Sequence, residues 1–95
     1  MIEIKFLGFP AIYDYLKKDH IWHTFSGRTL KDLIDDLFSH YGEEIRESLW
    51  DERIDELDPT IQIKVNEKYL EAADPQTVRI SENDSVTFFR LLAGG

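Results

Sequence analysis

The stretch Thr29-Leu30-Lys31-Asp32-Leu33-Ile34-Asp35-Asp36-Leu37-Phe38-Ser39-His40-Tyr41-Gly42 carries the strongest periodic signal in the chain. Leu30, Leu33, Ile34, Leu37, Phe38 and Tyr41 recur at helical spacing and fall on one face of an α-helix. Thr29 stands where an N-cap belongs, and Asp32 three residues later completes a capping box with Asp in place of the usual Glu. Gly42 is expected to close the helix in the left-handed conformation. A single apolar stripe must be buried against something, and the segments on either side supply a sheet.

Upstream, Ile2, Ile4 and Phe6 alternate with Glu3 and Lys5, which predicts a half-buried strand ended by Gly8-Phe9-Pro10. Ala11 to Asp19 is ambiguous between a connection and a short helical turn. His20 to Phe25 is aromatic and β-branched and reads as a second strand, antiparallel to the first. Downstream, Glu43 to Leu57 predicts a shorter helix followed by a loop to Asp58-Pro59. Thr60 to Val65 alternates as a strand with Ile61, Ile63 and Val65 inward, and a turn at Asn66-Glu67-Lys68 returns it through Tyr69-Leu70. A turn at Asn83-Asp84-Ser85 precedes the last strand, Val86 to Leu92. The expected class is α+β: a mixed sheet with one main helix and a short second helix packed on one face. At 95 residues the chain is expected to be a single domain, residues 1–95.

Composition narrows the function. A hydrophobic share of 42% with 13% aromatics is enough for a folded core. The absence of cysteine excludes disulfides, thiolate nucleophiles and Cys-based metal sites together. A net charge of −8 argues against nucleic acid or an anionic membrane as partner. The acids crowd into residues 32 to 58, where only Arg46 and Arg53 oppose them; a solvated face explains this, as does steering toward a basic enzyme surface. No apolar run is long enough to span a bilayer and the start reads as a strand, so the expected location is cytoplasmic.

Candidate sites are few. His20 and His23 are three apart on a strand, so they face opposite ways and no metal site is expected. Asp35-Asp36 and Glu43-Glu44 read as solvated charge rather than paired catalytic carboxylates. Trp22 and Trp50 are expected in the core or at its edge. No glycine loop for phosphate exists, so no cofactor, ATP included, is expected on the chain itself.

The remaining feature is Ala93-Gly94-Gly95, expected as a flexible tail over residues 92–95. A carboxylate is a poor acyl electrophile until adenylation gives it AMP as a leaving group. Glycine lacks a Cβ, passes a narrow channel and leaves its acyl carbon open to a nucleophile.

On these residues the chain resembles the MoaD/ThiS-type sulfur carriers, ubiquitin-like β-grasp proteins. Val65-Asn66 with Tyr69 resembles their Val-Asn-x-x-hydrophobic hairpin, and Asn83-Asp84-Ser85-Val86 resembles their Gly-Asp-x-Val turn. Asn83 replaces the glycine and also tolerates the left-handed conformation. Val86-Thr87-Phe88-Phe89 and Ala93-Gly94-Gly95 match the closing strand and tail.

The resemblance implies that a ubiquitin-activating-type enzyme uses ATP to adenylate Gly95. A sulfurtransferase or desulfurase would then supply sulfur, leaving a thiocarboxylate for an acceptor enzyme such as the large subunit of molybdopterin synthase. It implies a carrier, not an enzyme by itself. It also implies partner contacts through Leu7, Tyr69, Phe89, Leu91 and Leu92, of which Leu7, Tyr69 and Phe89 serve equally well as core residues. Arg90-Leu91 stands where the molybdopterin branch carries Pro-Pro, although the chain length fits that branch. A protein modifier joined through Gly95, a carrier for thiamine or tRNA thiolation, and a plain interaction module are the alternatives.

Overall fold

The computed structural model describes residues 1–70 and 75–90. In chain order the elements are β1 (Ile2–Leu7), α1 (Pro10–Leu16), β2 (His20–His23), α2 (Leu30–His40) and α3 (Glu43–Leu49). There follow β3 (Trp50–Asp51), β4 (Glu56–Leu57), β5 (Ile61–Val65), β6 (Lys68–Leu70) and β7 (Ser85–Arg90). The main sheet has the order β2-β1-β7-β5-β6. Only the central pair, β1 with β7, is parallel, bringing Ile4 beside Val86 and Phe6 beside Phe88. The other pairs are antiparallel, so the sheet is mixed as expected.

Alternation along the two central strands sets the core. Ile2, Ile4, Phe6, Val86 and Phe88 are buried on one face, where Leu30, Leu33, Ile34 and Leu37 of α2 meet them. Ile12 of α1 and Ile45 and Leu49 of α3 complete the layer. Phe6 stacks on Phe88 with ring centroids 5.6 Å apart and meets Phe9 edge-on at 6.5 Å. Each such fully buried apolar side chain is worth about 1.5–3 kcal/mol of transfer free energy.

The capping box forms in both directions. The Asp32 backbone N–H donates to Thr29 Oγ1 and the Thr29 backbone N–H donates to Asp32 Oδ2. Backbone N–H groups of Arg28 and Thr29 hold the Asp32 carboxyl below its ordinary pKa. Gly42 departs from expectation. Its φ is −73° and ψ −178°, an extended geometry, and it serves as N-cap of α3 rather than as a left-handed stop for α2. Only Tyr41 and Gly42 separate the two helices, so Tyr41 caps the end of α2 and Gly42 must already open α3.

Three further differences have local causes. Pro10–Leu16 is a true helix, a third one beside the two expected. Pro10 presets its first turn, and Lys17 (φ 62°) closes it by donating its N–H to the Tyr13 carbonyl. Strand β2 ends at His23 because Ile2, its partner there, begins β1; Thr24 and Phe25 have nothing left to pair with. The expected loop after α3 contains a two-residue ladder, Trp50 with Leu57 and Asp51 with Glu56, too short to leave a period in the sequence. Asn66 (φ 56°) and Asn83 (φ 72°) both take left-handed turn positions, as the Asn83 reading required. Among the described residues, no helix is long and apolar enough to cross a membrane.

Candidate functional site

Three elements fix the described end of β7. Arg90, the last described residue, donates from Nη2 to the Ser48 carbonyl at 3.1 Å and to Asp58 Oδ2 at 2.8 Å. Ser48 lies in the last turn of α3, whose carbonyls have no helical partner, so the guanidinium caps that helix. The same guanidinium lies 5.0 Å over the Phe9 ring. Asp58 is itself held by Thr60, whose backbone N–H and hydroxyl donate to Oδ1 at 2.9 and 2.7 Å. Arg90 therefore ties the last strand to α3, to the segment after β4 and to the Phe9 turn.

The Thr60 bonds, with Arg90 adding to them, lower the Asp58 pKa. A depressed folded-state pKa contributes stability that is complete above the unfolded value and is lost as pH falls through the folded one. Replacing Asp58 by Asn keeps an oxygen for Thr60 but turns an N–H₂ toward Arg90. Urea denaturation of Asp58→Asn at neutral pH should show a loss of about 1 kcal/mol, the upper scale for a partly exposed pair. The difference from wild type should shrink as acid protonates Asp58; an unchanged midpoint at neutral pH would count against the tie.

Gly8, on the other side of β7, has φ +86°, and a Cβ there would lie 2.3 Å from the Arg90 carbonyl oxygen. Neither Gly8 nor Arg90 stood out in the sequence: Gly8 marked a strand end, and Arg90 only a departure from a proline pair. The Asp58-Pro59-Thr60 turn is legible, but nothing in it announces an arginine 32 positions away.

Leu7, Phe89 and Tyr69 all lie on the helix-free face of the sheet. Leu7 pairs with Phe89 in register, and neither belongs to the buried core; Leu7 is 37% exposed and Phe89 half-buried. Tyr69 is 56% exposed, with Lys64 Nζ 5.7 Å over its ring. The same alternation puts Trp22 on this face, 59% exposed, against the expectation that it lies in the core or at its edge. Trp50 is half-buried at the core edge, edge-on to Phe38. The other expected partner and tail positions, Leu91, Leu92, Ala93, Gly94 and Gly95, lie outside the described residues.

His20 and His23 do face opposite ways: His20 is exposed beside Asp19, and His23 is buried. Asp35 is solvated and paired with Lys31, whereas Asp36 is not simply solvated charge but turns to His23.

Residues 8–95 match the ThiS family. No curated protein matches by sequence. Among solved structures, SAMP1 from Haloferax volcanii superposes with a TM-score of 0.76 at 17% identity, covering 99% of this chain and 98% of its own. The structure of the Amycolatopsis orientalis BexX/CysO complex gives 0.75 at 19% identity, with both chains fully covered. CysO of Mycobacterium tuberculosis gives 0.74 at 22% identity over 97% of this chain and 100% of that one. At these identities the structural likeness establishes the β-grasp fold.

Proposed function

Because this chain belongs to the ThiS family of ubiquitin-like sulfur carriers, we propose that Gly95 is the group it carries sulfur on. The observation that carries this reading is that the family match runs through β7 and closes on Gly94-Gly95. The carboxylate of Gly95 attacks the α-phosphorus of ATP held by a ubiquitin-activating-type enzyme, giving an acyl-adenylate and pyrophosphate. The outer sulfur of a donor persulfide then displaces AMP to give an acyl disulfide. A thiol reductant cleaves its S–S bond, freeing the donor thiol and leaving the thiocarboxylate while the reductant becomes a disulfide. The chain is a substrate in each step rather than the catalyst. That a CysO chain is found in complex with BexX supports a partner enzyme for this one.

The open sheet face is the docking surface in this reading. Leu7 and Phe89 flank the root of the tail, so a partner that grips them also aims the tail. The acceptor we propose is a molybdopterin synthase large subunit, on chain length and on Leu7, Tyr69 and Phe89 at the docking positions of that branch, with Arg90-Leu91 in place of its Pro-Pro as the feature against it.

Incubation with the cognate activating enzyme, ATP and a sulfur donor tests the chemistry. Intact mass should rise by one oxygen-to-sulfur exchange, mapped to Gly95. Isopeptide adducts on lysines would instead mark a protein modifier, and an unchanged mass would remove the carrier reading. For the acceptor, loss of molybdoenzyme activity on gene deletion is expected, and a thiamine requirement would redirect the sulfur.

A further inference from the structure

Buried at an inward position of β2 among isoleucines, His23 is a polar residue where alternation calls for an apolar one; it is 5% exposed. Its Nε2–H donates to Asp36 Oδ2 at 2.6 Å. That bond satisfies Nε2, and among the described residues no buried side-chain nitrogen or oxygen lacks a partner. His40, one helical turn beyond Asp36, brings a second imidazole beside the same residue: its Nδ1–H donates to the Asp36 carbonyl oxygen at 3.0 Å, and Nδ1 lies 3.4 Å from the carboxylate Oδ1. The two rings stand nearly perpendicular, with centroids 5.2 Å apart. One ligand atom from each of His23, Asp36 and His40 lies within 4.8 Å of the others.

We propose that His23, Asp36 and His40 form a binding site for a divalent transition metal of the zinc class. The donor set is two imidazoles and one carboxylate, the nitrogen-and-oxygen set that such ions favour over magnesium or calcium. Its layout is equally suited: an i, i+4 pair on one face of α2 and a third ligand from the neighbouring strand. Tetrahedral zinc with bonds of about 2.0 Å needs donors roughly 3.3 Å apart, so modest side-chain movement closes the cluster. The ion takes the place of the proton between His23 and Asp36. His40 is exposed and supplies the freedom to adjust, and the solvent side leaves a fourth position for water.

Asp32 and Asp35 line the surface depression beside Asp36 together with Arg28, and Asp35 is paired with Lys31. The attraction for a cation therefore comes from the chain's net charge of −8 and from the Asp36 carboxylate itself. The ion would clip β2 to α2, two elements already joined by the His23–Asp36 hydrogen bond. This site is separate from the sulfur chemistry at the other end of the sequence and stands without it.

The test uses the full, tag-free chain. Zinc titrated against a chromophoric chelator should bind one ion per chain, and cobalt(II) should give the visible absorption of a tetrahedral site. His40→Ala and Asp36→Asn should each weaken binding at least tenfold, with far-UV circular dichroism unchanged. His20→Ala, an exposed histidine outside the cluster, should bind as wild type does. Absence of one-to-one binding would overturn the proposal, as would equal affinity in wild type, His40→Ala and Asp36→Asn.

Discussion

Deleting Gly95 is expected to abolish adenylation while leaving the fold intact. One residue of extended chain spans about 3.3–3.6 Å, so a terminus at Gly94 falls that far short of the α-phosphorus. Reacting atoms must stand about 3–3.5 Å apart, and a displacement of only 1 Å can cost a hundredfold in rate. ATP–pyrophosphate exchange should therefore drop by at least about a hundredfold. A residue added beyond Gly95 should do the same, because it removes the glycyl carboxylate itself. The thermal midpoint should stay within error, since the buried core among the described residues runs from Ile2 to Phe88. Retained exchange in the shortened chain would break the assignment of Gly95. A collapsed midpoint would show instead that the terminus contributes to the fold.

Substitution of Gly8 by alanine should give the larger loss of stability, roughly 2–4 kcal/mol. Two costs add. At φ +86° an L-residue is strained whatever space surrounds it. The new Cβ would also sit 2.3 Å from the Arg90 carbonyl oxygen and 3.3 Å from its carbon. That neighbour is main chain, held by the Arg90 side chain against Ser48 and Asp58, so it cannot swing aside as a flexible side chain would. Any relief must come from moving the end of β7, and the tail moves with it. Gly8→Ala should then lose adenylation rate beyond what its unfolded fraction explains. Urea denaturation within 0.5 kcal/mol of wild type would show that β1 and β7 can part there at no cost.

Much of the fold was legible because its periods are long enough to read. Leu30 to Tyr41 spans three helical turns with a cap at its head, and Ile2-Ile4-Phe6 alternates without a break. Helix α1 was not legible, for it buries only Ile12 fully and has no side-chain cap. The β3–β4 ladder has two residues a side, below any readable period. Gly42 misled because a glycine after a helix suits a C-terminal stop and an N-cap alike, and the start of α3 decides between them.

The proposal for Gly95 rests on sequence alone. Its argument is covalent: a glycyl carboxylate needs no fold to be a substrate, only a reach and a lack of side chain. What tertiary structure decided is everything that requires two distant segments to meet. The Leu7–Phe89 pairing exists because β1 and β7 run parallel side by side. The hold on Arg90 joins residues 48, 58 and 90, and the His23, Asp36 and His40 cluster joins a strand to a helix. Spacing along the chain reports only neighbours within one element. Contacts between elements follow from which faces are buried together, and that is fixed when the apolar stripe of α2 settles on the sheet.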